Sequence, residues 1–362
     1  MERCKKLESE FQVYFDLHTM FDYNTIQDLP NTLPLQSQFA TGFDQFMLHY
    51  KGAIIRSIRV KFPLVNIQAH MLSKFSFRGT LFSKSVRLSG LKNVTTIVFD
   101  GLLIENLSTH ILPHLFSECL QLEDVTFTNC LLISSIKITS RKLRHLNMIG
   151  CGWANDSPSE LAIDALNLSS FEYSAYTTRI ISFTAPRLLK VFWNTALRKT
   201  TPDLFDPIAR LPHIENLAVN ISTSQIKELT KVLVRFQNLR QLDLLIEGAY
   251  DRSRDYFWIL DIAMASQHLQ KLSLTIKNLH PEHSHIVGFM RQKRECTGFS
   301  HTNLKYVEFR GCVGSINVVE LASHLLRSAT SLGKMTFSSR DKAYIGAGRD
   351  GPETLMIVTD TI

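Results

Sequence analysis

The chain has 362 residues, 44% hydrophobic and 20% charged, with a formal net charge of +7 and a pI of about 9.0. That composition belongs to a folded globular protein and excludes a disordered or collagen-like one. The basic excess is mild and scattered, its densest run being RQKR at 291–294, which argues against a dedicated nucleic-acid binder.

From the N-terminus, MERCKKLESE is polar and charged, with no secretory leader pattern, and no apolar run approaches the ~20 residues of a membrane span. The chain is therefore expected in the cytoplasm or nucleus, with no membrane partner. The six cysteines are Cys4, Cys119, Cys130, Cys151, Cys296 and Cys312. None forms a CxxC, so they read as free, buried thiols rather than a zinc or redox site.

A recurrent pattern begins at Ile55/Ile58/Val60 and is clear from Val94/Ile97/Phe99 onward. It continues through Leu122/Val125/Phe127, Leu143/Leu146/Met148, Leu168/Phe171/Tyr173 and Leu188/Val191/Trp193. Ile214/Leu217/Val219, Leu239/Leu242/Leu244, Leu269/Leu272/Leu274, Leu304/Val307/Phe309 and Leu332/Met335/Phe337 complete it. This is the LxxLxL core of a leucine-rich repeat with irregular spacing. Its last two apolar positions alternate with polar ones, as the faces of a strand do. One unit cannot bury its apolar face alone; stacked neighbours can. The expectation is an α/β leucine-rich-repeat solenoid, with parallel strands on the concave side and short strands and helices on the convex side. Val125, Leu146, Phe171, Val191, Leu217, Leu242 and Leu272 should form a buried ladder.

The return segments differ along the chain. Ile136/Ile138, Leu161/Ile163 and Ile181/Phe183 precede successive repeats at the same offsets, each followed by a small residue, Ser140, Ala165 or Ala185. These coils should return through a second short strand. Later coils gain helices. TPDLFDPIARL should start one near Pro202. QIKELTKVLVRF puts Ile226, Leu229, Leu233 and Phe236 on one face behind Ser224 as N-cap. SRDYFWILDIAMA and INVVELASHLLRSA follow, the latter with Val318, Leu321, Leu325 and Ala329 on one face and Ser315 as cap. The insertion at 278–299 should be a loop or loose helix.

Three repeats end in cysteine: LEDVTFTNC, LRHLNMIGC and LKYVEFRGC. Cys130, Cys151 and Cys312 fall where a strand turns into the coil, a corner that suits a small buried side chain better than it suits a reactive thiol. GAGRDG at 346–351 satisfies GxGxxG, but too little chain follows it for a βαβ unit, so it reads as a turn. His280, His283 and His285 have no companion ligands and read as a solvated loop. No catalytic residue, cofactor or metal is expected.

Residues 301–337 resemble the FBD domain that ends many plant F-box/leucine-rich-repeat proteins. The resemblance rests on His301, Leu304-Lys305-x-Val307, Gly311, Gly314, Glu320-Leu321-Ala322, Leu325-Leu326, Ala329, Leu332 and Met335. It divides the chain into an N-terminal capping segment (1–54), leucine-rich repeats (55–298), FBD-like terminal repeats (299–338) and a tail (339–362). The first residues resemble the segment that follows an F-box, so the expectation is a chain without that adaptor-docking element. A Skp-type adaptor and a cullin would join only through an F-box in another form.

The resemblance implies a non-enzymatic protein-binding scaffold, similar to the substrate-recognition part of an SCF-type ubiquitin-ligase subunit. The alternatives are a small-molecule-binding leucine-rich-repeat receptor or a divergent copy with no partner. Outward strand positions are the candidate surface: Asn147, Glu172, Phe192, Asp243, Tyr306 and Glu308. Their central column carries acids and no base, which suits a protein target, with Phe192 as an aromatic anchor.

Overall fold

A computed structural model of the chain describes residues 11–16, 55–61, 94–100, 103–104, 116, 120–132, 135–153, 160–175, 180–196, 203–211, 213–248, 256–278, 298–311, 316–338 and 356–358. These residues fall in two compact units, Met1–Arg187 and Leu188–Ile362. That division follows packing, whereas the four segments read from the sequence follow motif type.

The first unit contains β1 (Phe11–Asp16), β2 (Ile55–Lys61), β3 (Thr96–Asp100), β4 (Leu103–Ile104), β5 (Asp124–Thr128), β6 (Leu131–Leu132), β7 (Ile136–Ser140), β8 (His145–Trp153), β9 (Glu160–Ala165), β10 (Ser170–Ala175) and β11 (Ile180–Thr184). Its main sheet runs β1-β2-β3-β5-β8-β10, all parallel. Strand β1 lies in the segment expected only to cap the repeats and extends the pattern one strand further. The register stacks like on like: Ile97, Val125, Leu146 and Phe171 are successive partners, as are Phe99, Phe127, Met148 and Tyr173. All eight are buried. Each such side chain contributes about 1.5–3 kcal/mol by leaving water, and Phe99 and Phe127 also stack with ring centroids 5.1 Å apart.

The expected second rung is present. Strands β7, β9 and β11 form a separate parallel sheet in which Ile136, Leu161 and Ile181 share one register and Ile138, Ile163 and Phe183 the next. The chain then turns back toward the main sheet. At Ser140 the hydroxyl accepts hydrogen bonds from the Lys142 and Leu143 amides at 3.2 and 3.1 Å. Side-chain acceptance of amides two and three residues on is a short-range turn device.

The recurrent cysteine corner has a conformational cause in the residue before it. Asn129 and Gly150 adopt φ of 52° and 64°, and Gly311 adopts 81°. These values lie in the left-handed region, which glycine and asparagine tolerate best. The reversal ends the strand alternation, and Cys130 and Cys151 turn inward and are fully buried. The Cys130 thiol lies 3.5 Å from the Phe99 carbonyl and the Cys151 thiol 3.4 Å from that of Phe127, so each reaches back to an earlier coil. Cys312 lies outside the described residues, as do GAGRDG and the three histidines.

The second unit contains β12 (Lys190–Asn194), α1 (Asp206–Ala209), β13 (Asn216–Ser222), α2 (Ile226–Leu233), β14 (Gln241–Gly248), α3 (Trp258–Ala265), β15 (Lys271–Asn278), β16 (Tyr306–Gly311), α4 (Ile316–Ser328), β17 (Lys334–Ser338) and β18 (Met356–Val358). Strands β12 to β17 are parallel neighbours in chain order, and β18 pairs antiparallel to β17. Val191, Leu217, Leu242, Leu272, Val307 and Met335 occupy one register and are buried.

The helices are those expected, with corrected ends where these are described; Ser315, expected to cap the last, lies outside the described residues. A single 3-10 turn, Thr223–Gln225, precedes α2 and is capped by Ser222, whose amide donates to Gln225 Oε1 at 3.0 Å. Ser224, expected as the cap, sits inside the turn and bonds the Ser222 hydroxyl. An N-cap residue takes extended backbone, and Ser222 ends the strand in that conformation (φ −83°, ψ 159°). The proline that opens α1 is Pro207, not Pro202. Val318, Leu321 and Leu325 of α4, and Ala329 just beyond its end, face the core as expected. Asn317, Glu320 and His324 are buried as well, a polar stripe that the apolar spacing gave no sign of.

Candidate interaction surface

In each unit, the strand face opposite the apolar core presents side chains in columns set by the register. The main sheet of the first unit carries Thr96, Asp124, His145 and Ser170 in one column and Val98, Thr126, Asn147 and Glu172 in the next. Asn147 donates to the Thr126 hydroxyl at 3.1 Å. His145 Nε2 lies 3.8 Å from an Asp124 carboxylate oxygen. Burial pushes the Asp124 carboxyl above its ordinary value of 3.8, and His145 opposes that shift.

The second unit repeats the scheme over six strands. Its first column is Lys190, Asn216, Gln241, Lys271, Tyr306 and Lys334. The second is Phe192, Ala218, Asp243, Ser273, Glu308 and Thr336, and the third is Asn194, Asn220, Leu245, Thr275, Arg310 and Ser338.

The structure separates the six candidate residues into two kinds. Asn147, Phe192, Asp243 and Tyr306 are partly exposed, as a contact surface needs. Glu172 and Glu308 project to the same face but are only 4% and 5% exposed, which corrects the expectation that both meet water. Ser273 (7%) and Arg310 (7%) are similarly covered. The cause at Glu308 is local: Arg310 Nη2 donates to Oε1 at 2.6 Å and Ser273 Oγ to Oε2 at 3.4 Å. An acid held by an arginine two residues on and a hydroxyl on the next strand is a built network. Its ionic partners offset the desolvation that burial costs a carboxylate.

Tyr306 occupies the junction of the first two columns. Its hydroxyl shares a hydrogen bond with the Thr336 hydroxyl at 3.2 Å, and burial pushes the phenol above its ordinary range, so it stays neutral. Lys271 and Lys334, on the two flanking strands, bring their ammonium groups to 5.5 and 5.7 Å from the ring centroid. The strand spacing that pairs a tyrosine with two lysines comes from coils of unequal length, so no short-range motif announces it. Arg240, at the same edge, is engaged by Glu215 at 3.2 Å.

Among the described residues, no group of three His, Cys, Asp or Glu side chains is placed to hold a metal ion. No described helix is long and apolar enough to cross a membrane. The polar networks tie coils together rather than assembling a nucleophile and its base. Gln225 Nε2 donates to the Thr195 carbonyl at 2.8 Å, and Ser266 Oγ to the Phe236 carbonyl at 2.6 Å. Asn220 is part of this packing, since it is buried and donates to Glu247 at 3.1 Å.

Comparison with known proteins gives two findings. A family model described as At1g61320/AtMIF1, LRR domain, matches residues 16–352. An Arabidopsis thaliana F-box/FBD/LRR-repeat protein, At4g03220, is 26% identical over 251 residues, covering 63% of this chain and 50% of that protein. The chain thus aligns with half the length of the curated relative.

Proposed function

The chain belongs to the At1g61320/AtMIF1 LRR-domain family, and on that premise we propose that it is a non-enzymatic scaffold that holds a target protein on the outer faces of its parallel strands. In the finer form of this reading it selects the substrate of an SCF-type ubiquitin ligase, and the adaptor and cullin join only where an F-box accompanies these repeats. The observation that carries the proposal is the column order of the second unit. Six strands hold their core residues in register, so the intervening side chains line up in mostly polar columns, several members of which are exposed or partly exposed. Phe192 and Asp243, both partly exposed in the second column, give that surface an aromatic and an anionic feature.

The test is affinity purification with quantitative mass spectrometry on the full chain and on a Phe192→Ala/Asp243→Lys variant. Proteins retained by the parent should fall tenfold or more on the variant while its melting temperature holds. Identical protein sets from the two baits would sink the reading. Ligase substrate selection is tested separately: the retained protein should gain ubiquitin when the chain is expressed with an N-terminal F-box and should not gain it without one.

A further inference from the structure

We propose that the edge of the second unit's outer face built on Lys271, Tyr306 and Lys334 is a receptor for the carboxylates of an acidic peptide segment in a partner protein. This rests on the protein-binding reading and gives it a partner chemistry. Three observations carry it. Both ammonium groups lie within about 6 Å of one ring centroid, the range in which a cation is attracted by the negative face of an aromatic ring. Neither lysine has a carboxylate partner among the described residues, whereas Arg240 at the same edge and Arg310 in the third column each bind one. And the group is accessible: Lys334 is exposed, and Lys271 and Tyr306 are partly so.

The ring does more than add area. A lysine normally loses about 2 kcal/mol of rotamer freedom when it is fixed by a ligand. Here the ring already restrains both side chains, so less is lost on binding. Strands two apart in a sheet are separated by about 9–10 Å. On an extended chain, side chains two residues apart share a face, with Cα atoms about 7 Å apart, and glutamate carboxylates there can splay further. Two acidic side chains of one extended segment therefore match two lysines that flank one tyrosine. The neutral phenol hydroxyl, held by Thr336, adds no repelling charge.

The same columns disfavour a nucleic acid. Lys190, the remaining lysine of the first column, is separated from Lys271 by Asn216 and Gln241. A phosphodiester strand gains affinity by releasing counterions at many phosphates; the column offers only two closely placed cations, which two carboxylates of a short acidic segment can satisfy.

The experiment uses the purified full chain and fluorescence anisotropy with labelled octaglutamate. Octaglutamine and single-stranded oligothymidylate of equal charge serve as comparison probes. Octaglutamate should bind at low salt and weaken as salt rises, and octaglutamine should not bind. Lys271→Gln/Lys334→Gln should raise its Kd tenfold or more, and Lys271→Arg/Lys334→Arg should restore binding to within threefold. Lys137→Gln/Lys227→Gln, which removes the same net charge from exposed sites elsewhere, should change it less than twofold. Circular dichroism melts should coincide for all of these variants.

No octaglutamate binding, or equal losses from the two lysine-to-glutamine pairs, overturns the proposal. Tighter, lysine-dependent binding of oligothymidylate overturns it in favour of a nucleic acid. These outcomes are read with synthetic probes and leave the Phe192/Asp243 purification untouched, so failure here is distinct from failure of the protein-binding reading.

Discussion

Each unit builds its own run of parallel strands, and the returns between them differ. In the first, the chain comes back through short strands β7, β9 and β11; in the second, through helices α1 to α4. Length does not decide it: the intervals from Leu143 to Leu168 and from Ile214 to Leu239 have the same number of residues, yet the first returns through β9 and the second through α2. The spacing of apolar residues does. Leu161 and Ile163 are two apart, as on one face of a strand, whereas Ile226, Leu229 and Leu233 are three and four apart, as on one face of a helix. The period of the return segment, readable from the sequence, thus decides its class, while the strand side is indifferent to it.

The stitching between coils differs too. In the first unit the buried and half-buried contacts are neutral, such as Asn147 to Thr126 and Cys151 to Phe127, whereas Arg144 with Glu123 and His145 with Asp124 meet at exposed positions. The second uses buried, partly ionic ones. The sharpest way to break the comparison is therefore at Glu308. Its replacement by alanine should destabilise the chain by about 3–5 kcal/mol, because it removes the carboxylate that faces the buried Arg310 guanidinium. Asn147→Ala should cost about 1 kcal/mol. Equal costs in urea denaturation would show that the ionic network contributes no more than the neutral one.

Where the units are alike, the effects should be alike. Leu146→Ala and Leu242→Ala both vacate fully buried rungs, and each should cost about 2–5 kcal/mol. A cost at either site below about 1 kcal/mol would remove that rung from the core.

The turn that leads into each strand offers a finer test. In the first unit, Ser140 accepts the amides of Lys142 and Leu143. In the second, His301 does the same job: its Nδ1 accepts the amides of Asn303 and Leu304 at 3.2 and 3.0 Å. That assigns the ring proton to Nε2, which lies 3.2 Å from the Ser266 carbonyl. His301→Ala should cost about 2–3 kcal/mol, since it removes this partner from the buried Leu304 amide and Ser266 carbonyl and from the half-buried Asn303 amide. Ser140→Ala, at a less buried site, should cost about 1 kcal/mol. His301→Ser should recover part of the loss, because serine already performs this role at 140. No recovery would mean that the ring's volume and its bond to Ser266 matter more than the turn.

The smallest expected effect is at Asp124. Its carboxyl is raised by burial, so the folded state holds that proton more tightly than the unfolded chain does. The ionised form is therefore penalised above the raised value, and the penalty disappears below the ordinary 3.8. Asp124→Asn should be slightly more stable than the parent at neutral pH, by no more than about 0.5 kcal/mol. The gap should close on acidification. A gap that widens in acid would mean that the attraction to His145 outweighs burial.

Much of this architecture is local and was legible. Which residues face inward follows from alternation within five-residue strands, so Val125, Leu146 and Leu242 could be assigned to the core from the LxxLxL spacing alone. Helix α4 followed from an apolar face repeating at helical spacing. The cysteine corners were visible as a pattern, but their cause lies in the preceding Asn129 and Gly150. Those residues adopt left-handed backbone that the recurrent N-C and G-C pairs could have flagged.

What an outward residue meets is a different matter. Glu308 and Asp243 occupy the same column and look equivalent in sequence, yet one is buried against Arg310 and Ser273 and the other is partly exposed. Tyr306 acquires its two lysines from coils on either side. Alternation decides only the face a side chain takes. Its neighbours about 4.8 Å away arrive from segments some 20–35 residues distant, and only the register of the assembled strands decides which of them it touches.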